Sequence, residues 1–127
     1  MPADSARFVA AAARRGADAI ILDLEDAIAP AAKESARRAL ADHADALAAQ
    51  GLPVVIRVNA EPELLAADIA AAARPSVAAI MLPKVTSAAD IVRIGAADIG
   101  LIPLIETPRG VMAAAEIAGA DPRIAAL

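Results

Sequence analysis

Four short segments are apolar at nearly every position and rich in aliphatic, often β-branched residues: AIILDL (19–24), PVVIRV (53–58), AAIMLP (78–83) and GLIPLI (100–105). None shows the strict alternation of a half-exposed strand. The pattern predicts strands covered on both faces, as in a parallel sheet. A fifth run, RIAAL (123–127), reads as the opening of another strand. The stretches between carry helix start signals. Pro30 suits the first helical position of 30–49, and Glu61-Pro62 opens 61–73, with Leu65 and Ile69 on one face. Ser87 and Asp90 have the spacing of a capping box, and Thr107-Pro108 sets an N-cap before an N1 proline. Asp4 is expected to cap a first helix bearing Phe8 and Val9. The order is one helix, then strand–helix four times, then the start of a strand, which defines an α/β chain of repeated βα units.

Composition narrows this picture. A chain of 127 residues makes one modest domain. It is 59% hydrophobic, much of that alanine, and Phe8 is its sole aromatic, so the expected core is aliphatic. The net charge is −4, with no Lys/Arg cluster and no Tyr or Trp to stack on bases, which argues against nucleic acid as a partner. The absence of cysteine removes disulfides, thiolate nucleophiles and zinc–thiolate sites, and suits an intracellular, cytoplasmic setting. No apolar run approaches the roughly 18 residues of a membrane span, and no signal peptide is expected.

Charge is concentrated where the strands end: Asp23, Glu25 and Asp26 after the first, Arg57 and Asn59 after the second, Lys84 after the third, Glu106 after the fourth. Both the closed barrel and the open doubly wound sheet place their ligands beyond the carboxyl ends of parallel strands, so these residues converge on one rim in either architecture. Strands also end in charge simply because they end at water, and Lys84 as a solvated side chain or Asp26 as a turn cap fits that explanation; four ends in succession favour a site. Strand parity pairs Arg57 with Val55 and Glu106 with Leu104, so Arg57 and Glu106 are expected to point into one cavity. Lys33, Glu34, Arg37 and Arg38 read as a solvated helix face, and His43 as a surface histidine rather than a ligand or base. Carboxylates without nearby His or Cys favour a hard cation such as Mg2+. The planar fork of Arg57 suits a substrate carboxylate. A cation beside an arginine is a set for polarising a 2-oxo acid and stabilising an enolate. There is no P-loop, no GxGxxG and no Ser-His-Asp set.

The blocks ADAIILDLEDAIAPAAKESAR, VIRVN, IMLPKV and PLIETPRGV resemble, in order and spacing, the aldolase/citrate-lyase superfamily, in its citrate lyase beta-subunit-like and malyl-CoA lyase-like branch. The resemblance implies a partial TIM (β/α)8 barrel of about four and a half βα units. It implies a Mg2+-dependent carbon–carbon lyase of aldolase type, acting on a hydroxyacyl-CoA thioester or a 2-oxo acid. By the same resemblance Arg57 is a catalytic, substrate-binding arginine, and Glu106 a catalytic residue that binds both Mg2+ and substrate. Asp23, Glu25 and Asp26 would line the mouth and order metal-bound waters, and Lys84 would stand at the rim. Departures from the family pattern are equally specific. The family's second metal carboxylate follows the strand that begins near RIAAL, past Leu127, and its first strand ends in a Pro-Gly turn where this chain has Met1-Pro2-Ala3. The expectation is therefore one partial barrel domain over 1–127, lacking the first strand and the C-terminal units, inactive alone and self-associating through open sheet edges. The alternatives are a non-catalytic remnant or interaction subunit of the same fold, and an unrelated flavodoxin-like binding domain.

Overall fold

The four apolar runs form strands β1 (Ile20–Asp23), β2 (Val54–Arg57), β3 (Ala79–Leu82) and β4 (Gly100–Pro103), each within a residue or two of its expected span. All are parallel, in the order β1-β2-β3-β4. The computed structural model describes residues 1–95 and 98–127. Its helices are α1 (Ala6–Ala11), α2 (Lys33–Ala48), α3 (Pro62–Ala72), α4 (Ala88–Val92), α5 (Pro108–Met112) and α6 (Ala114–Ala118), with 3-10 turns at Ala12–Arg15 and Pro30–Ala32.

Strand order follows chain order, so crossovers of one hand all fall on one side of the sheet. The register shows the result. Ile20 lies beside Val54, Leu22 beside Ile56, and Ile80 beside Ile56 and Leu101. These residues join Leu40 and Leu47 of α2, Leu65 of α3, Ile91 of α4 and Ile117 of α6 in one core cluster. The alternate strand residues, Ile21, Val55, Ala79, Met81 and Ile102, contribute nothing to that cluster. Ile21 is 40% exposed, and Met81 and Ile102 are half-buried. Strands covered on both faces were expected; among the described residues helices pack on one face, and on the other Val55 and Ala79 are buried while Ile21 is exposed. The same order has no reversal, so the sheet has no switch point of the doubly wound kind and follows the barrel progression.

Both outer strands carry a further parallel bridge. Asp23 N–H donates to Met1 O (2.8 Å) and Ala3 N–H to Asp23 O (3.0 Å), which places Pro2 beside Asp23. At the other edge Leu101 N–H donates to Arg123 O and Ala125 N–H to Leu101 O, each at 2.9 Å, so RIAAL begins to pair as a strand.

The Ser87–Asp90 capping box forms, and Thr107 Oγ1 accepts from Gly110 N–H at 3.0 Å. α1 is different: its N-cap is Ser5, not Asp4, and no side chain caps it. His43 is also not a free surface group. It is half-buried, with Nδ1 2.7 Å from Ala3 O. A carbonyl only accepts, so Nδ1 carries the proton and ties α2 to the first residues of the chain.

Gly110 marks the closest approach of α5 to the β3–α4 turn. A Cβ there would lie 2.4 Å from Val85 O, a backbone atom that cannot swing away. Gly110→Ala is expected to lower stability by about 1–3 kcal/mol through overpacking. Urea denaturation checks this; an unchanged midpoint would mean that α5 is not seated on that turn.

Candidate functional site

Asp23 closes β1, and the loop behind it winds around its carboxylate. Glu25 N–H donates to Oδ1 at 2.7 Å and Ala27 N–H to Oδ2 at 3.2 Å. Arg57 closes β2 directly abreast of Asp23. Its Nε donates to Asp23 Oδ1 at 2.9 Å and its Nη2 to Oδ2, a two-pronged pair. Nη1 lies 3.2 Å from Glu25 Oε2, and the other oxygen of Glu25 is 2.6 Å from Lys84 Nζ. Glu25 is only 3% exposed, yet neither oxygen accepts a well-aligned hydrogen bond, so the two cations hold it by charge.

Lys84 follows β3 with φ +57°, the sole non-glycine at positive φ among the described residues. Such a backbone costs on the order of 1–2 kcal/mol in an L-residue. The turn aims two groups at once: Nζ at Glu25, and the backbone N–H at Glu106 Oε1, 2.9 Å away. A chain of contacts, Asp23–Arg57–Glu25–Lys84–Glu106, therefore runs across the carboxyl ends of all four strands. Arg57 and Glu106 do not touch; Glu25 and Lys84 stand between them. β4 ends at Pro103, Leu104 N–H still donates to Leu82 O at 2.8 Å, and beyond it the bond from the Lys84 N–H holds Glu106. Asp26 is exposed at the margin, with Oδ1 4.0 Å from Lys84 Nζ.

Behind the rim lies a polar network that the helix pattern concealed. Glu34 and Arg38 are indeed an exposed pair one turn apart. Lys33 and Arg37, expected beside them on a solvated face, instead turn inward. Lys33 Nζ reaches Leu24 O, Glu25 O and Asn59 Oδ1, and Arg37 Nε donates to Asp68 Oδ1 at 2.8 Å. Asp68 is fully buried, and its Oδ2 takes both the N–H and the Nδ2 of Asn59. The available signal was spacing: Asp68 falls three residues after Leu65 and four before Ala72, on the buried face of α3. A cavity of about 540 Å3 opens beside this network, with Glu25, Lys33, Asn59 and Lys84 in its wall.

Burial is the largest single influence on Asp23 and opposes its charge. The Arg57 hydrogen bond, the Glu25 N–H, the Arg57 charge and the Ala27 N–H together outweigh it and hold the carboxyl below its ordinary 3.8. The hydrogen bond to Asp23 raises Arg57, and the close pairing with the Glu25 carboxylate raises Lys84. Asp23 and Glu25 are therefore committed to cations. Glu106 is the carboxylate at the strand ends with no ion pair among the described residues; one oxygen is held by a backbone N–H. Among the described residues no three of His, Cys, Asp and Glu gather as a metal-holding group. A single hard oxygen donor fits Mg2+, which commonly takes one or two protein carboxylates and fills its remaining positions from water and substrate.

A sequentially ordered parallel βα sheet, helices on one side and a charged carboxyl rim, defines the class: a TIM-barrel-like α/β fold, present here as a part. Residues 1–127 match the HpcH/HpaI aldolase/citrate lyase family model, and the chain belongs to that family. It is 43% identical over 125 residues to a citrate lyase subunit beta-like protein of Mycobacterium tuberculosis, covering 97% of this chain and 43% of the relative. It is 38% identical over 130 residues to a (3S)-malyl-CoA thioesterase of Cereibacter sphaeroides, covering 100% of this chain and 45% of the relative. The citrate lyase beta subunit of M. tuberculosis, solved with oxaloacetate and magnesium, superposes with a TM-score of 0.76 at 40% identity, over 96% of this chain and 52% of that one. The chain spans less than half the length of these curated relatives. No helix among the described residues is long and apolar enough to cross a membrane.

The depressed Asp23 value has a signed consequence. Its stabilising contribution is complete above 3.8 and is lost as the pH falls through the lower, folded value. Urea midpoints are expected to hold down to about pH 4 and decline below it. Asp23→Asn should flatten part of that decline; an identical acid profile in the variant would show that Asp23 is not coupled to Arg57 in solution.

Proposed function

We propose that this chain supplies the substrate-orienting part of a Mg2+-dependent carbon–carbon lyase of the CoA-ester, aldolase type. The observation that carries this reading is the single connected set of charges, Asp23–Arg57–Glu25–Lys84–Glu106, at the carboxyl ends of four adjacent parallel strands. Relatives named for CoA-ester chemistry and a structural neighbour solved with oxaloacetate and magnesium support the choice of substrate class.

Arg57 has five N–H donors, and Asp23 takes two. Nη1 faces Glu25 Oε2, and a donor not taken by these acids would suit one carboxylate of a 2-oxo acid. Asp23 fixes the plane of the guanidinium, so the substrate carboxylate is bound in one orientation. Glu106 would hold Mg2+ through its free oxygen and meet the substrate's oxo group beside it. A cation held there would supply Lewis-acid chemistry to the oxo group of the substrate. Lys84 remains charged and adds positive potential next to Glu106 without taking a proton. A further carboxylate for the metal, and the walls that exclude water, belong to the portion of the barrel that the longer relatives contain.

A second reading, a non-catalytic subunit of the same fold, draws on the closure of Arg57 by Asp23 and Glu25, which leaves the guanidinium neutralised before any ligand arrives. The two readings separate in one experiment. In a complete homologue carrying these blocks, Glu106→Ala is expected to abolish hydroxyacyl-CoA cleavage, with a far smaller effect on thioester binding, because the stabilised charge develops in the transition state. Arg57→Lys should instead raise KM for the 2-oxo acid most strongly, since the fork is lost and the charge kept. An intact kcat in Glu106→Ala would reassign Glu106 as a binding group, and full activity in both variants would remove the lyase reading from this rim.

A further inference from the structure

Lys33 stands on the first turn of α2, between the strands that end in Asp23 and Arg57, and every donor of its ammonium is used. Its ammonium donates to Leu24 O at 2.7 Å, Glu25 O at 2.5 Å and Asn59 Oδ1 at 2.7 Å. An ammonium has three donors, and all three are used. Two of the acceptors are consecutive carbonyls of the loop whose N–H groups hold Asp23 and whose Glu25 side chain faces Arg57. The third, Asn59, is itself locked: its Nδ2 donates to Leu24 O at 2.9 Å and to Asp68 Oδ2 at 2.6 Å, and Asp68 is clamped by Arg37 from α2. The Leu24–Glu25 segment is thus pinned from behind by one point charge that α2 and α3 hold rigidly in place.

We propose that Lys33 is a positioning residue for Arg57: by fixing the Leu24–Glu25 carbonyls it sets both the Asp23 and the Glu25 carboxylates against the guanidinium. Its effect on substrate rests on the reading of Arg57 given above; its effect on Arg57 does not. The geometry requires an ammonium. Three acceptors converge on one atom, and the planar fork of an arginine cannot meet them together. A side chain without a donor would leave Asn59 Oδ1 buried without a partner and take one of two hydrogen bonds from each carbonyl, since Leu24 O keeps only Asn59 Nδ2. Ile28 N–H also donates to Glu25 O at 3.1 Å, so loss of Lys33 loosens the loop and does not erase it.

The chain contains no cysteine, which permits a clean chemical rescue. Lys33→Cys removes the ammonium, and aminoethylation of the single thiol restores one at nearly the original reach. Two readouts are taken on the 127-residue chain. The first is solvent exchange of the Arg57 Nε–H by NMR, assigned through its loss in Arg57→Lys. The second is oxaloacetate binding in Mg2+ by calorimetry. In Lys33→Cys the Nε–H is expected to exchange faster and oxaloacetate to bind about 10–100-fold more weakly, the usual range when the support of a ligand-holding group is removed. Aminoethylation should recover both. Lys33→Arg keeps the charge and is expected to recover neither fully. Leu40→Val loosens the core contact of the same helix and should lower the melting midpoint while leaving the Nε–H protected, which separates positioning from general destabilisation. Wild-type protection in both Lys33→Cys and Lys33→Arg, or equal loss of protection in Leu40→Val, would overturn the proposal. Absence of oxaloacetate binding by the unaltered chain would count against the reading of Arg57 as a substrate group, and the exchange measurement would then decide the role of Lys33 by itself.

Discussion

The rim depends on one pairing, Arg57 on Asp23. The two residues close neighbouring parallel strands in register, where backbones run about 4.8 Å apart, and at that separation a short acid and a folded-back arginine meet edge to edge. Neither group is stable there alone. Removing one partner of a buried ion pair strands an uncompensated charge and costs several kcal/mol, on the order of 3–5. The pair therefore demands the rest of the site. Asp23 needs the Glu25 and Ala27 N–H groups to fill its oxygens, which dictates the turn of the loop. That turn buries the Glu25 carboxylate, which then requires Arg57 on one oxygen and Lys84 on the other. Lys84 reaches it from a left-handed backbone, and that backbone in turn presents its N–H to Glu106. Each step is forced by the charge left over from the one before.

The sheet explains why this cascade lies on one face. With strands added in chain order, the helices accumulate on one side and the apolar residues of even position in β1 to β3 go to them. The odd positions, Ile21, Asp23, Val55, Arg57, Ala79 and Met81, share the other side. Toward the amino ends that side is aliphatic; at the carboxyl ends of β1 and β2 it becomes ionic. An interior that is oily below and charged above is the layered arrangement of a barrel whose chemistry sits at its carboxyl mouth.

Much of this was legible in the sequence, and the reasons for the exceptions are specific. Strand positions came from unbroken aliphatic runs, helix starts from Pro30, Pro62, Ser87 and Thr107, and the rim from the charges at strand ends. Lys33 and Arg37 were misplaced because a helix pattern reports only neighbours one turn away. Their partners, Asn59 and Asp68, lie 26 and 31 residues downstream and are brought near only when α2 and α3 pack on the same face. His43 failed in the same way, since its acceptor is the Ala3 carbonyl, 40 residues upstream. Glu106 was expected on this rim from its strand parity with Leu104. β4 ends three residues before it, and a hydrogen bond to a left-handed lysine, which no periodicity encodes, sets its direction.

The balance of charge gives Glu106 its distinct character. Asp23, Glu25 and Asp68 are each buried, and Arg57, Lys84 and Arg37 answer them, with Lys33 neutralising the carbonyl dipoles beneath. A cation arriving from solvent would have to break one of those pairs to bind any of the three acids, at the full cost of a stranded buried charge. Glu106 imposes no such cost. It is exposed, its single bond is to a neutral N–H, and no guanidinium or ammonium neutralises it among the described residues. Of the carboxylates in the contact chain it alone could take a new partner without dismantling the geometry that holds Arg57. The internal pairing of the other acids thus does two things together: it orients the arginine, and it leaves Glu106 as the carboxylate of the contact chain without a cationic partner among the described residues.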